Sequence, residues 1–307
     1  MYRNLWQPLT ALYDEGEAKA IVRWVLEVRF GLTWTDIICG KVEELSPDDQ
    51  TTLETILRRL AAGEPVQYVV GLADFGPRLF HVAPGVLIPR PETYELCQWI
   101  VLKRKEERGE RREDSQRAEA LKILDIGTGS GCIACTLAAE IAGAEVTAWD
   151  ISEEALTIAR ENAKRTHIHV SFEQVDVLKR REERGERRED SAFPEKRIEE
   201  RGYWDLIVSN PPYICEKERA TMERNVLDHE PETALFVPDD DPLLFYRAIA
   251  QYGQEALKEG GWLYFEINPL YLNDLQELLR GMAYRAIESK EDQFGKARMI
   301  RAKRDKR

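Results

Sequence analysis

The sequence predicts an α/β protein in which a small helical domain precedes a mostly parallel sheet. Short apolar runs alternate with helical stretches from residue 121 to residue 279, which is the pattern of a parallel sheet. Residues 9–60 have only helical spacing of their apolar residues. The 307 residues, 43% of them hydrophobic, are enough for one large core and a smaller one.

The N-terminal segment is predicted to be helical. Its first apolar face, at spacing i, i+3, i+4, i+7, consists of Ile21, Trp24, Val25 and Val28. Residues 53–60 repeat that spacing. Ser46 and Pro47 indicate the start of this later helix, because serine caps free backbone N–H groups and proline has none to satisfy. Gly63 marks its end, and we predict a helical domain over residues 1–67.

The next segment, residues 68–91, contains short β-type runs separated by Gly76-Pro77 and Pro84-Gly85, so a hairpin-like linker is predicted there. The third segment, residues 92–307, begins with a helix at 92–102. Its strands are predicted at residues 123–124, 146–149, 170–175, 206–208 and 262–267, and its later helices at 132–141, 153–164, 243–257 and 270–279. Residues 285–302 are predicted to add two antiparallel strands around Gly295.

Two charged segments interrupt this order. Residues 104–115 recur at 180–191 with one replacement, Lys105 to Arg181, and each copy holds five basic and five acidic residues. Neither copy offers apolar side chains for a core, so we predict solvated, partly disordered inserts near residues 104–117 and 180–201. A docking tail is the alternative.

Composition narrows the class of protein. The net charge of -12, from 44 basic and 56 acidic residues, argues against stable binding to nucleic acid, which needs a basic footprint. There is no apolar run of transmembrane length and no signal-peptide pattern. Five cysteines without disulfide spacing fit a reducing cytoplasm. Cys132 and Cys135 are expected in the core, no metal site is expected, and a monomer is the default.

A glycine-rich loop is predicted between the first strand of the sheet and the next helix. Its spacing is G-x-G-x-G, whereas a dinucleotide fingerprint needs a glycine where Cys132 stands, which favours S-adenosylmethionine over NAD. Asp150 ends the second strand, where a carboxylate can accept hydrogen bonds from ribose hydroxyls, and Asp176 ends the third, within reach of an adenine amino group. The loop residues are Gly127, Thr128, Gly129, Ser130 and Gly131.

The sequence Asn-Pro-Pro-Tyr, at residues 210–213, directly follows a buried strand and therefore lies at the ligand-binding edge of the sheet. The two prolines stiffen the chain and remove donors, so the motif presents acceptors beside an aromatic ring. The Asn210 side-chain oxygen and the Pro211 carbonyl can hold both N–H bonds of a planar amide while Tyr213 stacks on it. This predicts methylation of an amide or exocyclic amine, driven by orientation and electrostatics without a general base in the motif.

These motifs resemble the HemK/PrmC glutamine N-methyltransferases, which modify the Gly-Gly-Gln loop of class 1 peptide chain release factors. The resemblance covers nearly the whole chain except the two inserts. It rests on the glycine loop, on Asn-Pro-Pro-Tyr, and on residues 63–68, 86–93, 229–231, 234–235 and 294–296. It implies a seven-stranded Rossmann-like methyltransferase domain, a β-hairpin linker and an N-terminal domain, for which we expect a role in recognising the protein substrate.

The resemblance also implies roles for individual residues. Cofactor contacts carry over to Gly127, Thr128, Gly129, Ser130, Gly131, Asp150, Asp176, Val177 and Asn210. The substrate amide pocket, with its catalytic groups, carries over to Asn210, Pro211, Pro212 and Tyr213. Tyr94, Val177 and Asn268 depart from residues common in the family, and none of them is expected to touch the amide pocket.

Two other functions stay open from the sequence. An exocyclic amine of DNA or RNA could use the same acceptor geometry, although it would require a flipped base and a basic channel. A non-catalytic S-adenosylmethionine-binding partner protein would keep the glycine loop, but would not require Asn210 and Tyr213.

Overall fold

The computed structural model describes residues 2–110, 120–179 and 202–305, and it gives their side chains except for residues 108–110. The N-terminal part consists of short and medium helices around a core of its own. These helices are α1 (Tyr2–Trp6), α2 (Glu15–Phe30), α3 (Trp34–Ile38), α4 (Pro47–Ala61) and α5 (Val66–Val70). Helix α4 starts as predicted, with the Ser46 side chain accepting from the Asp49 N–H.

The apolar face predicted for α2 is rotated in the structure. The buried residues are Ala18, Val22, Val25 and Leu26, whereas Ile21, Trp24 and Val28 are only partly buried. Trp24 turns sideways because its indole N–H donates to the Asp74 carboxylate at 2.8 Å. A tryptophan with a partner for its N–H is more stable there than in an apolar core that offers none.

The linker contains an antiparallel hairpin of β1 (Leu72–Phe75) and β2 (Arg78–His81). Residues 68–70, predicted as β-type, belong instead to α5. Gly76 turns the hairpin at φ 59°, and a Cβ atom there would lie only 2.2 Å from the ring of Tyr94. Tyr94 therefore packs directly on the turn, where it also meets Phe75 edge-on at 5.3 Å.

The remaining chain forms the sheet and its flanking helices. The strands are β3 (Leu121–Ile126), β4 (Ala144–Asp150), β5 (Ser171–Gln174), β6 (Trp204–Ser209), β7 (Ile214–Cys215), β8 (Phe236–Val237), β9 (Leu257–Glu266), β10 (Tyr284–Glu291) and β11 (Ala297–Arg304). The helices are α6 (Pro91–Glu110), α7 (Cys132–Glu140), α8 (Glu153–Arg165), α9 (Arg224–His229), α10 (Glu232–Leu235), α11 (Leu244–Ala256) and α12 (Leu272–Gly281). Within the described residues, no helix combines the length and hydropathy needed to cross a membrane.

The seven-stranded sheet has the order β10-β11-β9-β6-β3-β4-β5. The five strands from β9 to β5 are parallel, and β11 pairs antiparallel with β9 and with the edge strand β10, as predicted. The chain proceeds outward from β3 through β4 and β5, and β6 then pairs with the other side of β3. The carboxyl ends of β3 and β6 therefore flank a topological switch point, where ligands bind in open α/β sheets.

The first charged insert does not begin where the sequence suggested. Helix α6, predicted to end at residue 102, continues to Glu110 and includes residues 104–110. Charge pairs one turn apart, Lys103–Glu106 and Arg104–Glu107, favour the helical conformation. The Arg104 side chain is only 19% exposed, so this residue is not fully solvated. Insert residues 111–117 and 180–201 lie outside the described residues.

Candidate active site

The glycine loop connects β3 to α7 at the switch point. Gly127, Gly129 and Gly131 have φ angles of 74°, 53° and 79°, a region that residues with a Cβ rarely adopt. A Cβ on Gly127 or Gly129 would meet no atom within 4 Å, whereas one on Gly131 would lie 3.1 Å from the Ala159 Cβ. The first two glycines therefore present bare backbone to open space, and the third permits close packing of the loop on α8.

Hydrogen bonds hold the loop in this shape. The Gly127 and Thr128 N–H groups both donate to the Trp149 carbonyl, at 2.8 and 3.0 Å. The Thr128 hydroxyl donates to the Asp125 carboxylate at 2.7 Å. Asp125 is fully buried, and this burial raises its pKa to about 7 despite the Thr128 hydrogen bond.

A buried amide connects the loop to the hairpin. The Asn162 side chain donates to the Ser130 carbonyl at 2.9 Å and to the His81 carbonyl at 2.8 Å, and its oxygen accepts from the His81 N–H at 2.6 Å. Because Asn162 is buried, leaving any of these polar groups without a partner would destabilise the folded protein. Asn162 thus ties together α8, the glycine loop and β2.

The two acidic strand ends lie next to the loop. Asp150 accepts from the Gly129 N–H at 2.8 Å and from the Ser152 N–H at 2.9 Å, and burial raises the pKa of its carboxyl. Asp176 accepts from the Leu178 N–H at 2.9 Å. Backbone donors therefore fix both carboxylates, and each oxygen keeps lone pairs for a ligand.

A cavity of about 620 Å³ joins these groups, within the size range of small-molecule sites. All residues predicted to contact a cofactor except Gly131 line this cavity. They are Gly127, Thr128, Gly129, Ser130, Asp150, Asp176, Val177 and Asn210. Ile151, which the sequence analysis did not select, also lines it and is 58% exposed although apolar. Its position directly after Asp150 was the signal available in the sequence.

The Asn-Pro-Pro-Tyr segment follows β6 at the other side of the switch point. A second cavity of about 300 Å³ lies there and is lined by Tyr213, by Glu266 and by the segments around Thr221 and Leu235. Asn210 and Arg90 line both cavities, and Pro211 and Pro212 line only the larger one. Asn210 therefore stands at the junction between a large cavity and a small one.

A chain of polar contacts supports Asn210 from behind. Its side-chain nitrogen is 3.1 Å from the Thr93 hydroxyl, which donates to the Glu266 carboxylate at 2.6 Å. The Tyr213 hydroxyl reaches the other oxygen of Glu266 at 3.0 Å. Burial raises the pKa of Glu266, while both hydroxyls and the charge of Arg298 act in the opposite direction. No motif in the sequence predicted this role of Glu266, whose one signal was its place at the carboxyl end of a strand.

Two further residues hold the walls of the site. The side chain of Glu230 accepts from the Ile88 N–H at 3.1 Å and pairs with the Arg90 guanidinium at 2.5 Å, which fastens the linker to the sheet domain. Asn268 donates to the Tyr213 carbonyl at 3.2 Å. Asn268 therefore supports the backbone of the motif, and it lines neither of the two cavities.

The two cysteines of the C-x-x-C sequence are buried in the core, as predicted. Burial raises the pKa of both Cys132 and Cys135 to about 12, so both thiols stay protonated near neutral pH. Among the residues that the structure describes, no group of three or more His, Cys, Asp and Glu side chains could hold a metal ion.

The large cavity fits an adenosine-containing cofactor by the chemistry of its walls. The bare backbone at Gly127 and Gly129 leaves room for close approach, and the fixed Asp150 carboxylate can accept from two adjacent hydroxyls. The exposed face of Ile151 and the partly buried Val177 provide apolar walls for a flat base. Asn210 also lines this cavity, at the point where the smaller cavity adjoins it.

Comparisons with known proteins agree with this description. Residues 9–71 match the family model described as PrmC N-terminal domain, and residues 118–234 match one described as Methyltransferase domain. The chain is 45% identical to a release factor glutamine methyltransferase of Bacteroides thetaiotaomicron, over 97% of each chain. It is 35% identical to proteins of that name from Flavobacterium psychrophilum, over 96% of this chain and 95% of the relative, and from Streptococcus pneumoniae, over 98% and 96%.

The packing of the loop on α8 gives a first prediction. Gly131→Ala combines a strained φ with a contact on Ala159, so we expect it to lower the free energy of unfolding by about 2–4 kcal/mol. Gly143→Ala is the matched control, because Gly143 has φ 77° and open space around it. It should cost only the strain, about 1 kcal/mol. Urea unfolding measures both values, and equal losses would contradict the packing argument.

The buried Asp125 gives a second prediction. Its pKa is about 7 in the folded protein and near 3.8 in an unfolded chain, so folding favours the protonated form. The stability it contributes is complete below the unfolded pKa and is lost as pH rises toward 7, by at most about 1.4 kcal/mol per pH unit. We expect Asp125→Asn to lack this loss. Urea unfolding at pH 5, 6, 7 and 8 tests it, and a constant difference between the two proteins would refute it.

Proposed function

The chain belongs to the family of release factor glutamine methyltransferases, and from this premise we propose that it methylates a glutamine side chain. The methyl group comes from S-adenosylmethionine, and the acceptor is the amide nitrogen of the glutamine in the Gly-Gly-Gln motif of class 1 peptide chain release factors. The observation that carries the proposal is the position of Asn210, which lines both the cofactor-sized cavity and the smaller one.

The residues of the motif orient the amide. An amide nitrogen is a weak nucleophile because its lone pair is delocalised, so position and electrostatics must supply most of the rate. The Asn210 side-chain oxygen and the Pro211 carbonyl accept the two N–H bonds, which directs the nitrogen toward the large cavity. Tyr213, whose hydroxyl is held by Glu266, packs along the plane of the amide, and Pro212 keeps the segment extended.

The cofactor residues are proposed from the large cavity. Asp150 would hold the ribose hydroxyls, Asp176 and Val177 would contact the adenine, and the backbone of residues 127–131 would face the remaining part. When bound, S-adenosylmethionine supplies a methyl carbon activated by the neighbouring sulfonium.

We propose three functional segments: residues 1–67 recognise the protein substrate, residues 68–91 link the domains, and residues 92–307 carry the reaction. The small cavity supports the first assignment. Glu223 in its wall is close enough to Glu17 of α2 to help raise the pKa of Glu17, after burial and Asp14. The N-terminal helices therefore border the region where a substrate protein would have to sit.

The setting of the enzyme is part of the same proposal. We expect a monomer that acts in the cytoplasm, since all five cysteines are free thiols, as suits a reducing compartment. We expect no stable binding of nucleic acid, because the net charge is -12.

The third prediction concerns Asn210. We expect Asn210→Ala to lower turnover about 100-fold or more, the scale of losing one oriented polar group in a site. Its affinity for S-adenosylmethionine should stay nearly unchanged, as measured by calorimetry. Asn273→Ala, at an exposed position on α12, is the control and should keep full turnover. Mass spectrometry of the Gly-Gly-Gln peptide, after incubation with protein and cofactor, gives the rates.

Other outcomes of this experiment point to the alternatives. Tritiated methyl transfer to DNA or RNA in place of purified release factor would indicate a nucleic-acid amine methylase. Cofactor binding with wild-type turnover no higher than that of Asn210→Ala would indicate a non-catalytic binding protein.

The fourth prediction tests substrate recognition by the N-terminal helices. Glu17→Lys replaces the repulsion between Glu17 and Glu223 by an attraction beside the small cavity, so we expect it to hinder the docking of a large partner. The Michaelis constant for intact release factor should rise at least about threefold, with little change for a short Gly-Gly-Gln peptide. Glu54→Lys, an exposed position on α4, serves as the matched control. Equal effects of Glu17→Lys on both substrates would argue against recognition by this domain.

A further inference from the structure

We propose that Thr93 and Glu266 are positioning residues that decide which way the side-chain amide of Asn210 faces. The inference rests on the proposed function, because it explains how Asn210 presents an acceptor to the substrate. It concerns residues from three separate parts of the chain: the start of α6, the segment after β6, and the end of β9.

The Thr93 hydroxyl sets the first constraint on this orientation. A hydroxyl has one proton to donate and lone pairs with which to accept. Thr93 lies 2.6 Å from the Glu266 carboxylate, which when ionised can only accept. The single proton of Thr93 is therefore used on Glu266, and toward Asn210 the hydroxyl can act only as an acceptor.

This constraint determines the orientation of the Asn210 amide. The amide has an oxygen and an NH2 group of nearly equal size, so shape alone does not distinguish its two orientations. Only the NH2 group can donate to an accepting hydroxyl, and the nitrogen of Asn210 lies 3.1 Å from Thr93. The oxygen of Asn210 must then face away from Thr93, toward the junction of the two cavities.

The orientation matters because the substrate is also an amide. Its NH2 group needs acceptors, which the Asn210 oxygen and the Pro211 carbonyl provide. If Asn210 were reversed, its own NH2 group would face that of the substrate, and two donors would be left opposed in a partly buried site. Asn210 would then no longer help to aim the nitrogen of the substrate.

The same carboxylate also orients Tyr213. Glu266 is 2% exposed and accepts from Thr93 through one oxygen and from Tyr213, at 3.0 Å, through the other. A buried carboxylate with two hydroxyl donors costs free energy of desolvation that a neutral, apolar residue would not. Its place here is explained if it sets two substrate-binding groups at once.

The fifth prediction separates this role from a structural one. Thr93→Val keeps the shape but removes the hydroxyl, and Thr93→Ser keeps the hydroxyl. We expect Thr93→Val to lower kcat about 10- to 100-fold while the Kd for S-adenosylmethionine stays nearly unchanged. The Tm should fall by only about the few degrees that one lost buried hydrogen bond costs. Thr93→Ser should retain kcat within about threefold. Equal losses in both variants, or wild-type kcat in Thr93→Val, would overturn the proposal.

A double-mutant cycle tests whether Thr93 acts through Asn210. In the Asn210→Ala background, the amide to be oriented is gone, so Thr93→Val should cause no further loss of kcat. Single-turnover mass spectrometry resolves these low rates. Losses that multiply in the double variant would mean that Thr93 acts independently of Asn210, and the proposal would fail.

A readout without methyl transfer keeps this proposal separate from the proposed function. In 15N NMR spectra, the side-chain NH2 signal of Asn210 is identified by its absence in Asn210→Ala. We expect its protons to exchange slowly with water in the wild type and in Thr93→Ser, and at least about tenfold faster in Thr93→Val. Fast exchange in all three proteins would overturn the inference even for an active enzyme. Slow exchange in a wild-type protein that shows no methyl transfer would reject the proposed function and leave the orientation of Asn210 supported.

Discussion

The hydrogen-bonded register between β3 and β6 is the constraint on which the rest of the site depends. Ile126 pairs with Ser209, and the Ser209 hydroxyl donates to the Ile126 carbonyl at 2.6 Å. The next residues along the two strands are Gly127 and Asn210, so this register sets the cofactor loop beside the amide-binding motif. A shift of one residue would reverse the faces of all side chains on β6 and separate the two.

The order of the strands makes that pairing available. Because β4 and β5 extend to one side of β3 and β6 pairs on the other, two connections leave the sheet in opposite directions and open a crevice between them. Buried polar side chains then attach the linker to this crevice. Asn162 satisfies both backbone groups of His81, and Glu230 binds Arg90 and the Ile88 N–H, so the linker forms part of the wall.

Local patterns in the sequence were sufficient to predict much of the fold and of the site. The glycine loop, the Ser46 cap and the order of strands and helices depend on neighbouring residues, and the structure has them where they were predicted. The buried face of α2 was wrong because a distant partner, Asp74, draws Trp24 out of the core. The start of the first insert was wrong because charge pairs continue α6 as a helix. No pattern links Thr93 to Glu266, since 173 positions separate them and only the fold brings them together.

The arrangement around Glu266 also bears on how a proton could leave the substrate. Glu266 lies behind the motif, and both of its oxygens accept from hydroxyls. These two hydrogen bonds lower the basicity of Glu266, and deprotonating the amide before transfer would need a much stronger base. The arrangement favours a different order, in which the neutral amide nitrogen accepts the methyl group first and the N-methylated amide then releases one proton to water. The acceptors that hold its two N–H bonds gain strength as positive charge develops. The buried Glu266 side chain, with its two hydroxyl partners, holds these acceptors in place without taking the proton itself.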